Sequence, residues 1–237
     1  MNYTYLDCLA TFGVGGAHPG GLQLTKSILL REYIDKETSI LDVGCGTGQS
    51  SAYIADKYRC KVTSLDNNKT MLEKANKRFS SLHLPVNIMY GSVEDLPFID
   101  GLFDYILSES VVSFTNVSLT IEEYKRVLKP TGVLLAIEMV LKDTLSEEEL
   151  KTITDFYGIP RLLTESEWYT IYQKAGFKQV SVEKFKHQFD ENNIDTSNDF
   201  SLSENIDDKL IDIFKKHEHL TTTYKDKLGF CIFRCCF

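Results

Sequence analysis

The sequence predicts an α/β protein: a doubly wound, mostly parallel sheet of seven strands with helices on both faces. Three observations predict it. Short β-branched or apolar runs alternate with segments whose apolar residues recur at helical spacing. Val133–Glu138 (VLLAIE) is apolar enough to be buried on both faces, as strands of a parallel sheet are. Gly44, Gly46 and Gly48 stand at alternate positions between a strand-like and a helix-like segment. Glycine loses more conformational entropy on folding than any other residue, so this turn needs positive φ, a helix packed close to the sheet, or a ligand against bare main chain.

The elements follow in order. Residues 1–38 hold a glycine-rich loop, Phe12–Gly21 (FGVGGAHPGG), then an amphipathic helix with Leu22, Leu29, Tyr33 and Ile34. Ser39–Val43 is the first sheet strand, and the helix after Gly48 carries Ala52, Ile54, Ala55 and Tyr58. Lys61–Asp66, short and β-branched, is the second strand, and Met71, Leu72, Ala75 and Phe79 share one face of the helix behind it. Val86–Tyr90 and Phe103–Ser108 are the third and fourth strands. The helix Leu119–Leu128 stops at the turn Lys129-Pro130-Thr131-Gly132, and Val133–Glu138 is the fifth strand. Two capping boxes, Ser146 with Glu149 and Thr164 with Glu167, then open helices, the second closed by Gly176 as a left-handed cap. Val180–Phe185 is a sixth strand, Asp190–Asn205 a polar loop, Leu210–Phe214 the centre of a helix, and Gly229–Phe237 the last strand.

Composition narrows the function. The 237 residues suffice for one well-buried domain, and 43% apolar with 25% charged residues is ordinary for a soluble one. No run is long and apolar enough to cross a bilayer, and the first ten residues lack a basic n-region and an apolar h-region, so the expectation is a cytoplasmic protein without a membrane partner. A net charge of −8 with scattered bases argues against nucleic acid and toward a small-molecule partner. The six cysteines form no C-x-x-C pair, which fits a reduced compartment. Cys231, Cys235 and Cys236 are expected to pack within the last strand rather than to serve metal or redox chemistry. His83, His187, His217 and His219 show no ligand spacing and read as surface residues; no metal site is expected.

A Gly-rich strand-to-helix turn is the usual cradle for a nucleotide. The dinucleotide pattern G-x-G-x-x-G fails here, because Gln49 occupies its sixth position counted from Gly44. What stands instead is acid-x-G-x-G-x-G, led by Asp42. Asp66, ending the next strand, suits the two hydroxyls of a ribose, a feature that NAD sites share.

Five stretches in order carry a resemblance: ILDVGCGTG (Ile40–Gly48), LDNNKTMLEKA (Leu65–Ala75), GSVEDLPF (Gly91–Phe98), LFDYILSESVV (Leu102–Val112) and VLKPTGVLLAIE (Val127–Glu138). Together they resemble the successive motifs of the class I S-adenosylmethionine-dependent methyltransferases over Ser39–Met139, and the tail Thr164–Glu183 is similar to that family's approach to its sixth strand. The resemblance implies a Rossmann-like sheet with an antiparallel last strand. It implies a single domain over 1–237, made of an N-terminal lid and helix (1–38), a cofactor-binding core (39–139), a helical insert forming part of the acceptor pocket (140–178) and C-terminal strands and helix (179–237). S-adenosylmethionine is then the cofactor and S-adenosylhomocysteine the product. Main chain at Gly44, Cys45 and Gly46 would face the methionine part, with Asp42 steadying the turn or the amino group. Asp66 would take the ribose, and Asn67 and Met71 would lie near the adenine. Ser92 stands where the family often has an acid for the adenine amine, with Val93 and Glu94 beside it as further cofactor contacts. Ser108 and Glu109 would line the methyl-donating side.

The implied chemistry is an in-line displacement at an activated methyl carbon, for which positioning can supply roughly 7–11 kcal/mol. It needs no fixed catalytic residue, and the sequence names candidates only. His18 reads as a proton acceptor or substrate contact, or as the start of a helix; Glu109 and Glu138 read as an acidic pair for a cationic acceptor or its proton, or as capping acids. Tyr3 and Tyr5 read as cation–π contacts or as packing, and Tyr157 and Trp168 as acceptor-pocket walls or as core. The N-P-P-Y signature of amino-methylating nucleic-acid enzymes is replaced by Ser108-Glu109-Ser110-Val111. The expectation is methyl transfer to a small molecule by a monomer or homodimer. The alternatives are a nucleoside-binding regulatory module without catalysis and an NAD-dependent oxidoreductase, the latter disfavoured by Gln49.

Overall fold

The computed structural model describes residues 3–184, 199–203 and 206–237. Its helices are α1 (Tyr5–Phe12), α2 (Gly21–Leu29), α3 (Gln49–Tyr58), α4 (Lys69–Ser81), α5 (Val117–Val127), α6 (Glu147–Tyr157), α7 (Glu165–Lys174) and α8 (Asp208–Thr223). Its strands are β1 (Val14–Gly15), β2 (Ser39–Val43), β3 (Lys61–Asp66), β4 (Asn87–Tyr90), β5 (Phe103–Glu109), β6 (Leu128–Leu141), β7 (Gln179–Lys184), β8 (Asp199–Phe200) and β9 (Leu228–Cys236). Seven of them form one sheet in the order β4-β3-β2-β5-β6-β9-β7. The pairs from β4 through β6 are parallel, whereas β9 runs antiparallel to both β6 and β7.

Burial explains which residues form which strand. Ile40, Leu41 and Val43 of β2 and Ile106 and Leu107 of β5 are almost wholly enclosed, because helices cover both faces of these central strands. One face packs Leu41, Ile106, Leu134 and Phe233 against Tyr124, Trp168, Tyr172 and Phe177 from the α5–α7 side. The other packs Ile40, Leu107, Leu135 and Ile137 against Ile28, Leu29 and Ile54 of α2 and α3. Full burial of each such side chain is worth about 1.5–3 kcal/mol. A separate cluster, with Tyr5, Ile153, Tyr157 and Leu220, ties α1, α6 and α8 together.

Most boundaries match the sequence reading, and both capping boxes form. Gly176 leaves α7 at φ 103, the expected left-handed exit. Several features differ. Residues 5–12 are helical, opened by a third capping box between Thr4 and Asp7. The Lys129–Gly132 turn lies inside β6, where the pairing with β5 jumps from Phe103↔Leu128 to Tyr105↔Val133. The helix α2 ends before Tyr33, which is 83% exposed rather than on an apolar face. The glycine-rich loop and part of the supposed polar loop form a two-stranded antiparallel ribbon, Val14↔Phe200 and Gly15↔Asp199. Phe185, His187 and positions 190–198 of that loop lie outside the described residues.

The strand order fixes where a ligand belongs. The chain builds β2, β3 and β4 outward in one direction, then returns to lay β5 on the other side of β2. Connections therefore leave β2 and β5 toward opposite sides, opening a crevice beyond their carboxyl ends; ligands of open α/β sheets bind at this switch point.

Candidate active site

The turn after β2 owes its three glycines to backbone conformation first. Gly44, Gly46 and Gly48 have φ of 60°, 53° and 74°, values at which a side chain is strained. Their surroundings then separate them. A Cβ on Gly44 would lie 2.5 Å from Val111 Cγ2, and one on Gly48 would lie 2.7 Å from Phe79 Cε1, so these two also permit close packing. A Cβ on Gly46 would meet nothing nearer than Met71 Sδ at 4.0 Å. Gly46 presents main chain to open space.

The turn is held from below by two carboxylates. Asp66 Oδ2 accepts from Gly46 N–H at 2.9 Å and its Oδ1 from Asn68 N–H at 2.8 Å, fastening the first turn to the end of β3. Each oxygen keeps acceptor capacity beyond that bond. Burial pushes the Asp66 carboxyl up, opposed by these N–H groups. Asp42, 2% exposed, accepts from Ser51 Oγ at 2.5 Å, and Ser64 Oγ donates to Ser51 Oγ at 2.6 Å. Burial, then the nearby charge of Glu109, pushes the Asp42 carboxyl up to about 8. The turn's amides are spent internally: Cys45 N–H donates to Leu65 O at 3.0 Å and Gly48 N–H to Cys45 O at 2.9 Å. A pyrophosphate needs free N–H groups at such a turn; here it would meet Asp42 and Asp66 instead. This geometry opposes the dinucleotide reading.

Glu109, at the end of β5, gathers the N-terminal segment. Its Oε1 accepts from Thr25 Oγ1 at 2.6 Å and lies 3.4 Å from His18 Nε2, while its Oε2 accepts from Ser50 Oγ at 2.6 Å. His18 Nδ1 lies 3.2 Å from the Pro19 carbonyl, which can only accept, so Nδ1 carries the hydrogen. The other ring nitrogen is turned onto Thr25 and Glu109. His18, Thr25 and Glu109 thus dock the start of α2 on the switch point.

Glu138 departs from the expected acidic pair. Glu109 lies opposite Ile137 in the β5–β6 register, so Glu138, one residue on, points to the other face of the sheet. There, wholly enclosed, it accepts from Val112 N–H at 3.1 Å, Ser113 N–H at 3.3 Å and Ser113 Oγ at 2.8 Å. Burial pushes its carboxyl up to about 7. It anchors the turn that follows β5. Ser108 also departs from expectation: its side chain is fully buried and pairs with Tyr124 Oη at 3.2 Å, so it lines no crevice.

The remaining candidates fall as follows. Met71 is 9% exposed and stands opposite Gly46, while Asn67 is exposed beyond Asp66. Ser92 Oγ accepts from Glu94 N–H at 3.1 Å, Val93 is buried, and Glu94 accepts from Asn116 N–H at 2.7 Å, so this motif is bound up with its own turn and with α5. Trp168 is core, its indole donating to Met139 O at 3.0 Å. Tyr5 packs edge-on against Tyr157, whose hydroxyl pairs with His217 Nδ1 at 3.0 Å; His217 is half-buried in this cluster, not a surface residue. Cys231 and Cys235 are enclosed in β9, as expected from packing. Among the described residues no group of three or more His, Cys, Asp or Glu side chains could hold a metal ion.

Comparison with known proteins agrees with this geometry. The family described as "Methyltransferase domain" matches residues 41–136, from the middle of β2 to the middle of β6. A Bacillus subtilis (strain 168) protein named uncharacterized methyltransferase YodH is 38% identical over 229 residues, covering 97% of either chain. The chain belongs to the class I S-adenosylmethionine-dependent methyltransferases. This methyltransferase is also 35% identical to the glycine/sarcosine/dimethylglycine N-methyltransferase of Actinopolyspora halophila, over 63% of its own length and 27% of that protein's. In fold it is similar to phosphoethanolamine N-methyltransferase 2 of Haemonchus contortus, solved with phosphomonomethylethanolamine and S-adenosylhomocysteine. That likeness has a TM-score of 0.78 at 21% identity and covers 99% of this chain and 58% of that one.

Sequence reasoning passed over Thr25 and Ser50, because a hydroxyl inside a helix gives no signal until the partner strand is placed. Ser110 was passed over as well. Its signal was faint: a small polar residue where the fourth strand runs out.

Proposed function

We propose that the enzyme methylates a small-molecule acceptor held beyond the carboxyl ends of β2 and β5. The observation that carries this reading is the bare, open main chain at Gly46 joined to the buried carboxylate of Asp66. When bound, S-adenosylmethionine supplies a methyl carbon activated by a sulfonium. In this reading the spare acceptor positions of Asp66 hold the ribose hydroxyls, Met71 packs beside the adenosine, and Gly44 and Gly46 let the main chain approach the methionine part. Asp42 acts from below, by stiffening the junction of β2 and α3. The Glu109 cluster holds the N-terminal segment over the crevice and excludes water, and Glu138 fixes the wall after β5. Glu109 and Glu138 are committed to protein donors, so the reading assigns them positioning rather than proton transfer.

Two further points support a small acceptor. The A. halophila relative is named for glycine and its methylated derivatives, and the H. contortus structure holds a phosphorylated amine. Among the described residues, no helix is long and apolar enough to cross a membrane. We assign 39–139 to the cofactor, and 1–38 with 140–178 to closing the acceptor side.

Calorimetry with S-adenosylhomocysteine tests the reading. Asp66→Asn removes a charge-assisted acceptor of about 1.5–3 kcal/mol, so affinity should fall by roughly 10–100-fold. Absence of binding to the wild-type protein would overturn the proposal. Turnover of any acceptor in a metabolite panel separates an enzyme from a nucleoside-binding module.

A further inference from the structure

Two different kinds of unfavourable feature meet at one residue. Among the described residues, three non-glycine positions have positive φ: Arg59, His83 and Ser110. Arg59 and His83 follow the last turns of α3 and α4, where a left-handed residue is a normal helix ending. Ser110, at φ 59°, follows a strand and ends no helix. Three buried side-chain polar atoms lack a hydrogen-bond partner: Tyr58 Oη, Tyr172 Oη and Ser110 Oγ. Only Ser110 belongs to both sets.

Its position is the switch point itself, one residue beyond β5. The strained conformation is imposed from three sides. Ser110 N–H donates to Ile137 O at 2.7 Å, Val111 packs into the space left by the missing Cβ of Gly44, and Glu138 grips Val112 and Ser113. Strain that the surroundings over-determine, beside a ligand crevice, points to a role for the strained group. The carboxylates at this edge, Asp66 and Glu109, make it unfavourable for an anionic acceptor and suitable for an amine.

Building on the proposed function, we propose that Ser110 Oγ accepts a hydrogen bond from the N–H of an amine acceptor and so aims the nitrogen lone pair at the methyl carbon. The lone pair forms the C–N bond while the C–S bond breaks, its electron pair remaining on sulfur. The ammonium product then gives its extra proton to water. Ser110 touches the acceptor and not the cofactor, and Glu138 is its positioning residue.

Ser110→Gly removes the hydroxyl and suits the left-handed backbone, and Ser110→Ala removes it while keeping the strain. Wild type and both variants are compared by thermal unfolding, by calorimetry with S-adenosylhomocysteine, and by S-adenosylhomocysteine release with glycine, sarcosine, ethanolamine and histamine, with catechol as a phenolic control. The expected result is turnover of at least one amine, with kcat/KM at least ~10-fold lower in both variants. Their S-adenosylhomocysteine affinity should stay within about twofold of wild type, and the glycine variant should melt at or a few degrees above it. A purely structural serine would instead lower Tm and leave kcat/KM unchanged, overturning the proposal. An affinity loss for S-adenosylhomocysteine would place Ser110 against the cofactor and also overturn it. Binding of S-adenosylhomocysteine with turnover of catechol alone, or of nothing in the panel, would overturn the amine assignment and leave the cofactor site standing. No binding would remove both.

Discussion

Alanine at Gly48 and alanine at Gly46 place the same demand on the backbone in different surroundings. Both positions are left-handed, at φ 74° and 53°, and each alanine incurs about 1–2 kcal/mol for that conformation. Loss of glycine's freedom in the unfolded chain returns about 0.4–1 kcal/mol in both cases. The packing then diverges. The new methyl at position 48 falls 2.7 Å from Phe79 Cε1 and 3.1 Å from Ala75 Cβ, and Phe79 is 3% exposed with nowhere to retreat. Overpacking of this kind adds about 1–3 kcal/mol. Gly48→Ala should therefore destabilise by about 2–4 kcal/mol, or roughly 4–12 °C in Tm for a chain of this size. Gly46→Ala should lose about 1 kcal/mol, because its methyl meets only Met71 Sδ at 4.0 Å. The functional order is the reverse: the methyl at 46 projects where the cofactor is proposed to lie, so S-adenosylhomocysteine affinity should fall by 10-fold or more (about 1.4 kcal/mol). Urea melts and calorimetry on the two variants decide it. Equal stability losses, or wild-type affinity in Gly46→Ala, would refute the reasoning.

Other outcomes follow from the buried polar groups. Glu138 and Asp42 have folded-state carboxyls raised to about 7 and about 8, above their ordinary 4.5 and 3.8. Between those limits the folded protein binds more protons than the unfolded one, so each group makes stability fall as pH rises, by at most about 1.4 kcal/mol per pH unit. Urea midpoints should decline from pH 5 toward pH 8, and Glu138→Gln should flatten the part of that slope below pH 7. Thr25→Val keeps the shape of a wholly buried side chain but leaves Glu109 short of a donor; a loss of about 1–3 kcal/mol is expected in the same melts. Arg78 donates to Thr47 O at 2.8 Å and ion-pairs with Asp199, so a double-mutant cycle on Arg78→Ala and Asp199→Ala should return a coupling of about 1 kcal/mol. Additive losses would mean that the β1–β8 ribbon is not tied to the glycine turn through this pair.

The cofactor half of the fold was legible because its signals are local. The runs Ser39–Val43 and Lys61–Asp66 announce strands by themselves, and the structure places strands over those same residues. The two anticipated capping boxes formed for the same reason. Pairing across long sequence distances was not legible. Nothing near Val14 or Asp199 indicates that they meet, and the parity that sends Glu109 and Glu138 to opposite faces depends on a register only the folded sheet supplies. Thr4 was missed for a milder reason: its box closes with Asp7 instead of the usual Glu or Gln. At the site, the acids and glycines were found by type, whereas their partners Thr25, Ser50 and Ser51 are ordinary helix residues until Glu109 and Asp42 are brought beside them.

The position of β9 has a consequence for biosynthesis. It lies between β6 and β7 and is antiparallel to both. During translation β7 leaves the ribosome with no neighbour to pair with, and must wait for Leu228–Cys236 before it can join the growing structure. Until then the outer flank of β6 is an unpaired edge of enclosed, apolar residues, the kind that recruits strands from other nascent chains.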